Sequence, residues 1–397
     1  MTQHVLVVNS GSSSIKYQLV DVDTHEALAN GLVERIGLAE GRIKHNGPAG
    51  ETVLDVPVPD HEAGMEHVLA MFAERGPALV GADLTAVGHR VVQGATLFSG
   101  PALVTEEVIA QIEDLSPLAP LHNPANLSGI RAAMHAFPDT PHVAVFDTAF
   151  HQTLAPEAYT YAIDRELAAQ YRVRRYGAHG TSHMYVARTT AEYLGKDPAD
   201  LDLIVLHLGN GASATAVKGG RSVETSMGLT PLEGLVMGTR SGDIDPAALF
   251  HLARQAGYSI DQLDELLNRR SGMLGLTGHT DMRDVHDAVA AGDEDARTGL
   301  EVYFHRIRGY VGQYLAQMGR VDAIVFTAGI GENDDIVRAG SMRGLEGLGI
   351  SVDPERNDGR KKQITVISPD DSPVTVLVVP TNEELEIARQ AVGLVTA

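Results

Sequence analysis

The stretches HVLVVNSGSSSIKYQLVDV at 4–22 and LDLIVLHLGNGASATAVKG at 201–219 share one layout: an apolar strand, a loop rich in Asn, Gly and Ser, then a second strand. In the first, Val5 to Val8 and Ile15 to Val22 are β-branched, partly alternating runs flanking Asn9-Ser10-Gly11-Ser12-Ser13-Ser14. That pattern predicts two strands joined by a polar loop. Two such openings about 200 residues apart point to a duplicated core. Two unrelated hairpins would share the layout equally well.

Working outward, Met65, Val68, Leu69 and Phe72 fall at helical spacing within 61–75, and Gly76-Pro77 stops the run. Asn123-Pro124 and Asp245-Pro246 each place a capping residue before a proline, predicting helices that open at about 124 and 246. Apolar runs at 142–146, 202–208 and 323–327 read as strands, and 298–318 as a long helix. Strands interleaved with helices indicate an α/β architecture.

The chain of 397 residues is long enough for two or three domains. Its 52 acidic against 31 basic residues give a formal charge of −21, which argues against binding to nucleic acid or to an acidic membrane surface. With no cysteine, disulfides, thiolate catalysis and cysteine-ligated metals are excluded, and the composition suits a reducing, cytoplasmic compartment. No run of 18 apolar residues reads as a membrane span.

Three polar loops follow apolar strands: Asn9 to Ser14 with Lys16 beyond, Gly209-Asn210-Gly211 ahead of Ser213, and Gly329-Ile330-Gly331-Glu332-Asn333. Glycine and small hydroxyl residues let backbone N–H groups approach phosphate closely, and ligands of α/β proteins gather at the carboxyl ends of strands. A tight turn explains any one loop; three together point to a split nucleotide site. Neither a P-loop nor a dinucleotide fingerprint occurs at a strand end.

Arg90 ends a strand within Gly88–Gly94, where its planar fork can hold a carboxylate or phosphate, or close a salt bridge. Asp147 follows the strand at 142–146 and can meet metal or substrate, or cap the next segment. His179, between Ala178 and Gly180, can donate to an anion, although a lone histidine is more often structural. Arg240 sits in a flexible-looking Gly-Thr-Arg-Ser-Gly-Asp loop able to bring a guanidinium to phosphate. Thr381 with Glu384 fits a capping box, which leaves Glu383 spare. Glu383 and the amide oxygen of Asn9 suit a hard cation such as Mg²⁺. No spacing suggests zinc.

Eight strings, NSGSSSIK (9–16), GHRVVQG (88–94), FDTAFH (146–151), RRYGAHGTSH (174–183), HLGNGAS (207–213), GLTPLEGLVMGTRSGDIDP (228–246), FTAGIGEN (326–333) and PTNEEL (380–385), together resemble the bacterial acetate kinases, in order and over essentially the whole chain. The resemblance implies membership of the superfamily that unites acetate and sugar kinases, Hsc70 and actin. It therefore implies two duplicated ribonuclease-H-like α/β domains with an interdomain active-site cleft. The N-terminal domain would comprise 1–147 plus 384–397, and the C-terminal one 148–383, carrying the nucleotide site and the homodimer interface.

Carried over residue by residue, the resemblance makes Asp147, His179 and Arg240 the catalytic group. Arg90, His122, Val92, Leu121 and Pro231 become the acetate site. Lys16, His207, Leu208, Gly209, Asn210, Gly211, Asp281, Met282, Arg283, Gly329, Ile330, Gly331, Glu332 and Asn333 would contact ATP or ADP. Asn9 and Glu383 would serve Mg²⁺, with Mn²⁺ as a substitute. The implied reaction is reversible, direct in-line transfer between ATP and acetate, giving ADP and acetyl phosphate. Acetate is already ionised at neutral pH, its pKa lying near about 4. Asp147 is therefore expected to orient Arg90 or hold the metal rather than act as a base. Many relatives carry Phe where this chain has Ala178, which implies a roomier pocket and keeps a propionate or butyrate kinase as the alternative. A sugar kinase would need polar groups for a ring where Val92, Leu121 and Pro231 stand. A nucleotide-binding module without transfer would leave Arg90, His179 and Arg240 without a task.

Overall fold

The computed structural model describes residues 3–77, 79 and 84–397. These divide into two compact units, Met1–Phe150 with Asn382–Ala397, and His151–Thr381.

The first unit is built on an eight-stranded sheet. Its strands are β1 (His4–Gly11), β2 (Ser14–Asp21), β3 (Glu26–Glu34), β4 (Gly41–Gly47), β5 (Gly50–Val56), β6 (Leu84–Val91), β7 (Ala102–Leu103) and β8 (His142–Phe146), in the order β5-β4-β3-β2-β1-β6-β8-β7. The second sheet has six strands: β9 (Asp202–Leu208), β10 (Ala212–Lys218), β11 (Arg221–Thr225), β12 (Ala323–Thr327), β13 (Thr365–Val366) and β14 (Thr375–Val378), in the order β11-β10-β9-β12-β14-β13.

The duplication expected from the two opening stretches is present. In each unit the first strand pairs antiparallel with the second and parallel with a strand that arrives after an intervening helical segment, which in turn runs parallel to the next. Central strands β8, β9 and β12 are buried throughout, hence their unbroken apolar runs.

On one face of the first sheet the helices His61–Arg75 and Asn123–Ala136 close a core of Leu6, Val8, Ile15, Tyr17, Met65, Phe72 and Ala133. The terminal helix Glu383–Val395 packs on β1, β6 and β8. Glycine at 88 permits that approach, because a Cβ there would stand 2.8 Å from Ile387 Cγ2. Glu383 consequently belongs to the first unit, whereas the sequence had put 148–383 together.

In the second unit the helix Gly180–Leu194 packs on β9 and β12, and the long helix Glu294–Met318 on β9 and β10. The long helix begins four residues earlier than 298 because Asp293 caps it, accepting from the N–H groups of Asp295 and Ala296.

Three local expectations change. Asn9, Ser10, Gly11 and Ser14 are paired strand residues, opposite Lys16, Ile15, Ser14 and Gly11, so the polar loop shrinks to Ser12-Ser13. Gly329 to Asn333 is helical, within Ala328–Asn333. Thr381 and Glu384 form no capping box: Asn382 caps the terminal helix by accepting from Leu385 N–H, which frees Glu384 to pair with Lys16.

Candidate active site

In the first unit the candidate residues gather around one guanidinium. Arg90 lies near the end of β6, and both its Nε and Nη2 donate to Asp147 Oδ2, at 3.0 and 2.6 Å. Glu383 Oε2 approaches the same Nε at 3.8 Å. Asp147 is 1% exposed and follows β8, its own N–H donating to Val91 O. Burial opposes the Arg90 charge, but Asp147, then Glu383 and Glu384, outweigh it and raise the guanidinium above its ordinary value. Burial also pushes the Glu383 carboxyl up to about 7; Asp147 and Glu384 add to that, and Arg90 and Lys16 oppose it.

The loop after β6 is held by two buried amides. Asn126 accepts from Val92 N–H (3.1 Å) and donates to Ser10 O (2.8 Å), while Asn123 accepts from Gln93 N–H (3.1 Å) and donates to Gln93 O (3.0 Å). Asn123 is therefore the first helical residue with its side chain turned to this loop, and the cap position falls to His122. Val92 is buried, His122 is exposed and Leu121 is 55% exposed. Asn9 faces Lys16 across the β1–β2 pair.

In the second unit the helix Gly180–Leu194 opens on His179, held at φ 56°, a left-handed conformation unusual outside glycine. Its Nδ1 lies 2.9 Å from Ser213 Oγ on β10, and its ring stacks on His207 with centroids 4.2 Å apart. Arg240 Nη1 donates to Pro231 O at 2.6 Å, and the guanidinium forms no ion pair among the described residues. Burial lowers its pKa from the ordinary arginine value. Gly211 makes room for both groups: a Cβ there would meet Arg240 Nη2 at 2.7 Å and His179 Cε1 at 3.6 Å.

The Arg240 loop is anchored more firmly than its composition suggests. Met237 and Arg240 exchange a backbone bond, Gly238 N–H donates to Asn210 O, and Ser271 N–H donates to Thr239 O. Ala178 is 3% exposed and packs into this unit's core.

A cavity of about 720 Å³ opens beside these groups, lined by Gly209, Asn210, Asp281, Met282, Arg283, Gly329, Ile330 and Asn333. Its size suits a small-molecule ligand. Arg283 pairs with Asp281 at 2.6 Å and holds that carboxyl down at about 2. His207, Leu208, Gly211, Gly331 and Glu332 are not among the lining residues. Glu332 turns inward, its Oε1 accepting from Ala328 N–H (2.9 Å) and Thr381 N–H (3.1 Å), so it braces the turn. Arg338, fully buried, donates to Gly331 O, Asn357 O and Gly359 O from beneath.

Sequence reasoning missed the lining residues Thr280, His286, Asp334, Ile336 and Arg360. His286 Nε2 meets Asp334 Oδ2 at 2.7 Å, and that hydrogen bond raises the His286 pKa. Asn123, Asn126 and Arg338 were missed as well. Buried polar side chains of this kind carry no local signature; only the pair of amides three apart on a helix hinted at a shared task.

Against known proteins, the model of the acetokinase family matches residues 4–389. The chain belongs to that family. It is 63% identical to an acetate kinase of Leifsonia xyli subsp. xyli over 99% of each chain. Among solved structures it resembles the acetate kinase of Porphyromonas gingivalis (43% identity, 99% of each chain, TM-score 0.95). It also resembles a propionate kinase of Francisella tularensis subsp. tularensis (40% identity, 98% of each chain, TM-score 0.92). Family membership accounts for the two related sheets, and it gives the eight strings a common origin. No helix among the described residues is long and apolar enough to cross a membrane.

Proposed function

We infer that this acetokinase-family chain catalyses reversible transfer of the ATP γ-phosphoryl group to acetate, by direct in-line displacement, giving ADP and acetyl phosphate. The observation that carries the reading is Arg240: a guanidinium with no ion pair among the described residues, packed beside His179 on Gly211, whose neighbours Gly209 and Asn210 line the cavity.

The chemistry divides into two tasks. One is to hold a carboxylate. Arg90 spends two N–H donors on Asp147, and its remaining donors are available to acetate. Asp147 thereby fixes the plane of the guanidinium, and no proton has to be removed from an acid that is already ionised. Val92 and Leu121 would supply apolar surface for the methyl group, with His122 nearby in sequence. The second task is to stabilise charge on the transferring group, and for it Arg240 and His179 stand side by side at Gly211 of the nucleotide loop. Asp281 to Arg283 and Gly329 to Asn333 would receive the nucleoside end.

The donor set suits Mg²⁺. Two carboxylates, Asp147 and Glu383, reach one guanidinium, and Asn9 adds an amide oxygen in the same unit. Mg²⁺ is commonly bound through one or two carboxylates plus substrate phosphates. Glu383, Asp147 and Asn9 would hold it or its waters; when bound, it supplies charge neutralisation at the phosphates, and Mn²⁺ offers the same.

A homodimer joined through the second unit, whose Phe250 and Ile260 lie outward, belongs to the same reading. The propionate kinase resemblance and the small Ala178 favour some tolerance of a longer acyl chain. Incubating the protein with Mg-ATP and acetate, propionate or butyrate, then trapping acyl phosphate with hydroxylamine, tests the assignment. Acetyl hydroxamate formed at the highest kcat/KM supports it. A propionyl product formed faster moves the substrate up one carbon, and ATP turnover without any acid removes the transfer reading.

A further inference from the structure

Behind His179 runs a short chain of hydrogen bonds that the reaction as described does not use. His183, one helical turn on and fully buried, places Nε2 2.7 Å from Ser213 Oγ. The same oxygen lies 2.9 Å from His179 Nδ1. His183 Nδ1 is buried and has no hydrogen-bond partner among the described residues. Burial, with His151 and His207 adding to it, lowers the His183 pKa well below the usual histidine value, so the ring is neutral at physiological pH.

Two proton arrangements satisfy this chain. A neutral imidazole has one donor and one acceptor nitrogen, and a serine hydroxyl has a single hydrogen. In one arrangement His183 Nε2–H donates to Ser213, whose own hydrogen goes to His179 Nδ1, leaving the His179 proton on Nε2. In the other, Ser213 donates to His183, and His179 Nδ1–H donates to Ser213. The second arrangement requires His183 to carry its proton on Nδ1, as a buried N–H with nothing to receive it. Buried orphan N–H groups are the rarer and costlier defect, whereas an unshared acceptor pair is better tolerated. The orphan nitrogen therefore decides between them.

We propose that His183, acting through Ser213, fixes the His179 ring with Nδ1 as the acceptor and its proton on Nε2, the side away from Ser213. That side is relevant because the Cε1 edge of the ring lies over Gly211 next to Arg240. A bare nitrogen there would turn a lone pair on a phosphoryl oxygen; an N–H stabilises it. His207, stacked on His179 and opposite Ser213 in the strand register, keeps the ring in plane for the Ser213 contact. His183 and Ser213 are positioning residues. The functional consequence rests on the reading that His179 serves the phosphoryl group; the tautomer assignment does not.

The test is long-range ¹H–¹⁵N correlation of the ligand-free full-length protein carrying ring-¹⁵N histidine, at mildly alkaline pH, with signals assigned from His179→Gln and His183→Gln. Both rings should appear as Nε2–H tautomers in the unmodified protein. Finding either as Nδ1–H overturns the relay, whatever the variants do. Ser213→Ala should then release His179 into a mixture of tautomers and lower kcat at least about tenfold, the usual scale for outer-layer partners of a reacting group, with the KM for acetate little changed. His183→Gln, which can place an amide N–H where Nε2–H stood, should keep more of the tautomer and of kcat than His183→Leu. Equal loss in both variants overturns the role of the donor. A tautomer shift in Ser213→Ala with kcat unchanged supports the relay and overturns the phosphoryl role of His179.

Discussion

Each unit places one helix against its first strand and the strand that pairs parallel with it, and the N-termini of those helices are dressed in opposite ways. The helix Glu383–Val395, on β1 and β6, opens with Glu383, Glu384 and Glu386, carboxylates that complement the positive helix end. The helix Gly180–Leu194, on β9 and β12, opens with Gly180, Thr181, Ser182 and His183 and carries no acid in its first turn. Around the first, charges are paired: Arg90 with Asp147, Lys16 with Glu384. Around the second, Arg240 packs on Gly211 beside His179 and has no ion pair among the described residues. One architecture thus yields a guanidinium paired with its own carboxylates and another without an ion pair among the described residues. In the proposed reaction the first would orient and the second would stabilise.

That contrast breaks most visibly at the unpaired arginine. Arg240→Ala should lower kcat by about 10³-fold, the scale seen when an arginine that contacts a transferring phosphoryl is lost. It should leave stability nearly unchanged, because no carboxylate is orphaned. Steady-state kinetics beside urea unfolding measures both. A loss of stability that matches the loss of activity would make Arg240 a structural residue and erase the distinction.

Arg90→Ala should do the reverse. Removing it takes the paired guanidinium from a carboxylate that is 1% exposed, and breaking a buried pair typically costs about 3–5 kcal/mol. Its effect on turnover should fall on the KM for acetate, raised about 10- to 100-fold, with kcat less affected. An Arg90→Ala protein as stable as the parent would mean that Asp147 is not held by this pair.

How much of this was readable beforehand follows from what each feature depends on. The β1–β2 and β9–β10 hairpins are local, so periodicity found them and hinted at the duplication. Which glutamate of the Thr381 to Glu384 run faces Arg90 depends on packing against β6, and sequence placed Glu383 on the wrong side of the domain cut. The capping box at Thr381 failed for a similar reason: Lys16, more than 360 residues away, competes for Glu384. Arg240 and His179 were identifiable as charged or polar residues among glycines, but the glycines turned out to mark close contacts rather than slack. Gly211 and Gly238 leave room for Arg240 and for Asn210, whose Oδ1 would lie 1.9 Å from a Cβ at 238. Arg338 acts through partners distant in sequence and left no signal; Asn126 was legible only in its spacing from Asn123, and Ser213 only as the end of the Gly209 to Gly211 loop.

Asn126 offers a milder probe of the first unit alone. Asn126→Ala leaves Val92 N–H and Ser10 O without their buried partner, and each such loss costs about 1–3 kcal/mol. Chemical denaturation should show a destabilisation of about 2 kcal/mol or more, since two groups lose their partner, and the KM for acetate should rise because Val92 and the neighbouring Arg90 lose their fixed loop. Unchanged KM with lowered stability would separate the loop from the acetate site.

The smallest expected effect concerns Glu383, where the paired character of the first unit can be titrated. Its carboxyl is raised from the usual 4.5 to about 7, chiefly by burial. Between those values the folded chain holds a proton that the unfolded chain has released, so this group's contribution to stability declines as pH rises through that window. Glu383→Gln, which mimics the protonated form, should flatten that part of the stability profile. Mg²⁺ binding requires the ionised group, so below about pH 7 binding should expel a proton and weaken by at most about tenfold per pH unit. Calorimetric Mg²⁺ titrations in two buffers of different ionisation enthalpy read the proton directly. Release near pH 6 that vanishes near pH 8, and is absent in Glu383→Gln, would show that burial among like charges keeps this carboxylate in reserve until a cation arrives. Identical heats in both buffers at pH 6 would mean that the cation is held elsewhere, and the first unit would then be a carboxylate-orienting device only.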